Sequence, residues 1–159
     1  PTVAAAICLL GVNCSSHQSY LIETLKFANS NPNLGFQELL RGAAAGLGAL
    51  AVAGGHDEAA EALFDIGIPS HDPTRAPVSL ALGTIALRNT SLMLSVLGKR
   101  AERERLDLAI DLVAEGFDML EEDLDKETFF AAVRHAYWDS PERSPTRQLM
   151  QTLIGKLDF

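Results

Sequence analysis

Almost nowhere in this chain do apolar and polar residues alternate. Long apolar stretches are instead separated by short segments rich in Gly, Pro, Asn, Ser and Asp. A half-buried strand requires alternation with period two, so the pattern argues against sheet and predicts an all-α fold. The spacing predicts helices over Val3–Val12, Gln18–Ala28, Phe36–Ala53, Asp57–Asp65, Pro77–Leu87, Ser91–Leu97, Leu106–Glu121, Lys126–Trp138 and Pro145–Leu157. The breaks have physical causes: "NSNPNLG" (Asn29 to Gly35), "GIPSHDPTRAP" (Gly67 to Pro77) and "WDSPERSP" (Trp138 to Pro145) combine helix-stopping prolines with small polar turn residues. Ser140 and Ser144 each precede a proline, the arrangement of an N-cap followed by a first helical turn. Gly67 follows an apolar run and precedes "IPSHDP", which predicts a left-handed helix end there.

The 159 residues suffice for one domain or a few small repeats, and the whole chain, 1–159, is read as a single unit. Apolar residues make up 47% and charged residues 21%, which predicts a folded chain. A net charge of −8 would repel a nucleic acid backbone, and the one basic cluster, "GKRAERER" with Lys99, Arg100, Arg103 and Arg105, is diluted by Glu102 and Glu104. Cys8 and Cys14 have neither disulfide-framework nor zinc spacing, so free thiols in a reducing, intracellular and cytoplasmic setting are expected. The opening "PTVAAAICLLGV" lacks a basic leader and falls short of a membrane span, so it reads as a buried helix.

Short helices with tight turns call for a search for internal repeats. Gly55-His56 and Arg88-Asn89 both fall between two predicted helices, with His56 and Asn89 33 residues apart, and similar apolar helices follow: "EAAEALFDIG" and "SLMLSVLGKR". Gly55, His56, Leu63, Phe64 and Gly67 resemble the turn, second helix and terminal glycine of an ankyrin repeat. Ala76-Pro77-Val78-Ser79 loosely resembles that family's opening motif in the next unit. The resemblance covers residues 46–101, with degenerate hairpins over 1–45 and 102–159, and implies a short, irregular α-solenoid of stacked hairpins. "RGAAAGLGALAVAGG" also resembles the small-residue helices of a HEAT-like α-solenoid. Ala43, Ala44, Ala45, Ala49, Ala51 and Ala53 let helices approach closely while Leu47, Leu50 and Val52 fill the gaps, which leaves little room for a cofactor.

Each candidate for chemistry stands beside a packing account. "HDEAAEALFDIG" resembles an HD-type phosphohydrolase, but Phe64 stands where that resemblance needs an imidazole; a metal would then draw on His56, Asp57, His71 and Asp72. The competing account has His56 hydrogen-bonding within its turn and Asp57 capping the next helix. "GLGALAVAGG" has no preceding strand and no following Lys-Ser/Thr, so no phosphate cradle is supported. Cys14, His17 and Asp65 or Asp72 have no spacing that selects them as a nucleophilic set. The acidic run "EGFDMLEEDLDKE" lacks a calcium-loop pattern and is read as a solvated helix end or a patch for a basic partner. Phe129, Phe130, Tyr137 and Trp138 form an aromatic cluster that is either core or a partner groove or self-association surface.

The reading that joins these observations is a protein-interaction module without catalytic residues, metal or cofactor. It would bind a protein partner and neither nucleic acid nor membrane, and homo-oligomerisation is compatible with it. The expected contact surfaces are the turn Ile68 to Arg75, with His71, Asp72 and Arg75, and the segment Phe129 to Trp138, with Phe129, Tyr137 and Trp138. Two alternatives stand beside it: a small all-α enzyme with a pocket or metal site near His56 and His71, and a segment or subunit of a larger assembly.

Overall fold

The computed structural model describes residues 17–31, 34–100 and 103–158, and every regular element among them is helical. The helices are α1 (Gln18–Ser30), α2 (Gln37–Ala53, entered through a short 3-10 turn), α3 (Asp57–Gly67) and α4 (Arg75–Arg88). They continue as α5 (Thr90–Gly98), α6 (Arg103–Met119), α7 (Asp123–Asp139) and α8 (Pro145–Leu157). The expected helix Val3–Val12, with Cys8 and Cys14, lies outside the described residues. α4, α6 and α7 begin earlier than the apolar spacing predicts, since their opening residues Arg75, Arg103 and Asp123 are charged and add nothing to an apolar period.

Local chemistry accounts for several of the helix ends. α2 stops at Gly54 (φ 91°) and Gly55 (φ 77°), a pair of left-handed positions that a Cβ would oppose. The Asn89 side chain accepts a hydrogen bond from Leu92 N at 3.2 Å, capping α5, and its amide donates to Ala51 O at 3.1 Å, closing the end of α2. Ser144 caps α8 by accepting from Arg147 N at 3.1 Å, with Pro145 in the first turn as the sequence predicts. Ser140, in contrast, ends α7, donating its hydroxyl to Ala136 O at 2.6 Å.

Three other local expectations are corrected. Gly67 is helical, and Ile68 continues at φ −55°, ψ −49° without a left-handed residue. What requires glycine there is packing: a Cβ on Gly67 would lie 2.6 Å from Val78 Cγ1 and 3.2 Å from Leu112 Cδ1. Gly67→Val is therefore expected to destabilise by about 2–3 kcal/mol through overpacking, read as a lower urea midpoint; an unchanged midpoint would refute the close approach. Asp57 makes no cap but faces Lys99 Nζ at 3.4 Å. His56 reaches out of its turn, with Nδ1 3.2 Å from Gln18 Oε1 on α1.

α4 is the central element, packing against α2, α3, α5, α6 and α7, while α1 lies on α2 and α8 on α7 and α6. α2 and α4 run in the same direction, as the Gly48–Ala81 and Ala51–Asn89 approaches require. α4 and α6 meet backbone to backbone, since a Cβ on Gly83 would stand 2.9 Å from Gly116 C. Leu47, Leu63, Phe64, Leu82, Ile110 and Phe129 are among the largest fully buried side chains of one continuous core. Among the described residues no single helix is long and apolar enough to cross a membrane; α4 and α5 are apolar enough together but meet at a bend of 115°.

Candidate functional site

An open, apolar cleft of about 770 Å³ runs between α2 and α4 and is closed at one side by Met119 of α6. Small residues create it. Gly48 and Ala81 touch at its base, while Ala45, Ala49 and Ala76 leave the space above them unfilled. Leu40, Val52, Pro77 and Leu80 line the walls, and Leu80 is 40% exposed although it is surrounded by apolar neighbours. A volume of this size lies within the roughly 300–1,000 Å³ of ligand-binding clefts.

Polar groups are confined to the two ends. At one end stand Gln37, Arg41 and Asp72; at the other, Thr84 and Arg88. Most of these are already engaged. Asp72 accepts from Ala76 N at 3.1 Å, Thr84 donates to Leu80 O, and Arg88 pairs with Glu122 at 2.9 Å. Arg41 is exposed and makes no ion pair among the described residues, so the cleft carries one uncommitted cation at its mouth in a protein of net charge −8.

The structure separates the residues that the sequence reading grouped. Of the turn Ile68 to Arg75, only its outer edge is available. His71 and Asp72 are exposed, and Asp72 reaches the cleft. Arg75 is held by a two-pronged pair with Glu115 (2.7 and 2.9 Å), which raises its guanidinium above the ordinary value chiefly through that hydrogen bond. Behind it, buried Thr74 donates to Asn29 Oδ1 of α1 at 2.7 Å, and buried Ser79 donates to Glu115 at 3.3 Å.

In the aromatic segment, Phe129 is 1% exposed and packs edge-on against Phe117 in the core, so it presents nothing to a partner. Tyr137 is half-buried. Trp138 is 73% exposed, with Tyr137 edge-on at 5.1 Å and the Arg147 guanidinium 5.7 Å from its ring. Neither aromatic lines the cleft.

His56 and His71 do not converge: among the described residues no group of three or more His, Cys, Asp or Glu could hold a metal ion. Phe64 lies fully buried in the core, with Arg100 stacked over its ring at 4.9 Å. The basic cluster is partly neutralised, Lys99 by Asp57 and Arg100 by Asp65. Glu115, Glu122 and Glu127 of the acidic run are likewise paired, with Arg75, Arg88 and Arg134.

Sequence reasoning took the alanines of α2 as packing residues and missed the cleft. Ala43, Ala44 and Ala51 are indeed buried, but Ala45 and Ala53 are exposed and Ala49 is half-buried. The signal was present: Gln37, Arg41, Ala45, Ala49 and Val52 recur at helical spacing, and the two polar members mark that face as solvent-facing. No protein-family model, curated protein or solved structure matches the chain.

Proposed function

We propose that this chain is a non-catalytic protein-interaction module, a short irregular α-solenoid of ankyrin-like hairpins, whose α2–α4 cleft receives an apolar helix of a partner protein. The observation that carries the reading is the open apolar cleft with Arg41 at its mouth, which makes no ion pair among the described residues. A helix laid in such a groove buries one apolar face and leaves its polar face in water. Charge complementarity favours an acidic residue of that helix opposite Arg41. The hairpin reading is supported by two turns 33 residues apart, at His56 and Asn89, whose side chains each reach back to an earlier helix.

The test uses the full chain with a photoreactive amino acid in place of Ala45. Cross-links are expected to map to one apolar, acid-bearing helical segment of a single partner. Ala45→Trp fills the cleft from an exposed position, so it is expected to weaken that partner at least tenfold, about 1.4 kcal/mol, without lowering the melting temperature. Arg41→Glu is expected to weaken it as well, and His71→Ala to leave it unchanged. Cross-links scattered over unrelated proteins, or undiminished binding by Ala45→Trp, would sink the proposal.

A further inference from the structure

α7 packs inward through Phe129 and Val133, and its opposite side carries Leu124, Thr128, Ala131, His135 and Trp138, all exposed. Their spacing of four, three, four and three residues draws a single line along the helix. Leu124 is 86% exposed and Trp138 73%, the two most exposed large apolar side chains among the described residues. None of the five lines the α2–α4 cleft, so this face is independent of the function proposed above.

The line is symmetric about Ala131. Leu124 and Trp138 stand equally far to either side of it; Glu127 and Arg134 flank it on one edge, Thr128 and His135 on the other. We infer that this face of α7 pairs with the same face of a second copy of the chain, antiparallel, about a two-fold axis at Ala131.

A two-fold axis requires a self-complementary surface, and the residue order supplies one. In the antiparallel arrangement the two Ala131 residues meet at the crossing, where small side chains allow close approach. Leu124 meets Trp138 of the second copy. Glu127 meets Arg134 of the second copy, twice per dimer, and Thr128 meets His135. A parallel arrangement would turn each edge to the opposite side, setting Glu127 against Thr128 and Arg134 against His135, so only the antiparallel one brings opposite charges together. Within one chain Glu127 and Arg134 already pair at 2.6 Å; in the dimer each carboxylate gains a second guanidinium. Tyr137 and Arg147 hold the Trp138 ring in place beforehand, which reduces the ordering entropy lost on contact.

The association is weak. One helix face about 22 Å long buries less than the roughly 800 Å² per partner of a standard interface, and the charge of −8 on each copy opposes approach.

Sedimentation of the full chain from about 10 μM to 1 mM is expected to show a reversible monomer–dimer shift. Ala131→Arg is expected to abolish it, and Leu124→Ala or Trp138→Ala to weaken it at least tenfold, with circular dichroism confirming intact folds. Glu127→Arg alone and Arg134→Glu alone are each expected to stay monomeric, whereas an equimolar mixture of the two is expected to dimerise again, because both cross-copy pairs then carry opposite charges. A wild-type chain monomeric throughout, a dimer indifferent to Ala131→Arg, or a mixture that stays monomeric would each overturn the inference. A dimer formed through another surface would appear as the second of these.

Discussion

Gly116→Ala is expected to cost about 3 kcal/mol or more, the upper end of what overpacking costs. The added methyl would fall on the Ser79 carbonyl oxygen and lie 3.0 Å from Gly83 Cα, both of them backbone atoms of α4. A side chain could rotate away; the central helix cannot do so without parting from α2, α3, α5 and α7 as well. Because a domain of this size is stable by only about 5–15 kcal/mol, one methyl group would remove a large share of the total. Urea denaturation followed by far-UV circular dichroism measures the loss. Gly155→Ala in α8 provides the contrast, since nothing lies within 4 Å of that position, and replacing a helical glycine there is expected to gain about 0.5–1 kcal/mol. Equal effects at the two sites would mean that α4 and α6 do not meet at their backbones.

Phe64→Ala is expected to be comparably severe, about 3–5 kcal/mol for a fully buried aromatic. The ring is inaccessible to water and carries Arg100 above it at 4.9 Å, with that guanidinium tied to Asp65 at 2.8 Å. Truncation would open a cavity beneath Arg100, whose Nε is already buried without a hydrogen-bond partner. Phe64→Leu retains most of the apolar volume and is expected to cost less than half as much. If the two variants melt together near the wild type, Phe64 does not organise the core as its burial implies.

How far the sequence was readable varied with the scale of the question. Helices α1 to α8 follow from signals carried within a few residues, such as Ser144-Pro145 at the start of α8 or Gly54-Gly55 at the end of α2. Gly67 misled because a glycine at a helix end can serve the turn or the neighbouring helices, and only the position of Val78 decides which. Phe129 and Trp138 were grouped by nearness in sequence, yet nine residues at about 100° each place them on opposite sides of a helix. Attention to that angle would have separated core from surface. The cleft was harder to read, because the gap between α2 and α4 depends on how two helices lean together, which neither sequence segment encodes alone.

The loop between α3 and α4 gives the fold a property that a plain row of hairpins lacks. Units that touch only their neighbours can loosen one at a time from either end. Here Thr74 is bonded to Asn29, near the beginning of the described chain, and the adjacent Arg75 to Glu115, far along it. One short segment thus ties α1 and α6 to a common point, so an opening that displaces this segment loosens its hold on both helices. The segment that looked most suited to meeting a partner serves first as a fastening between α1 and α6.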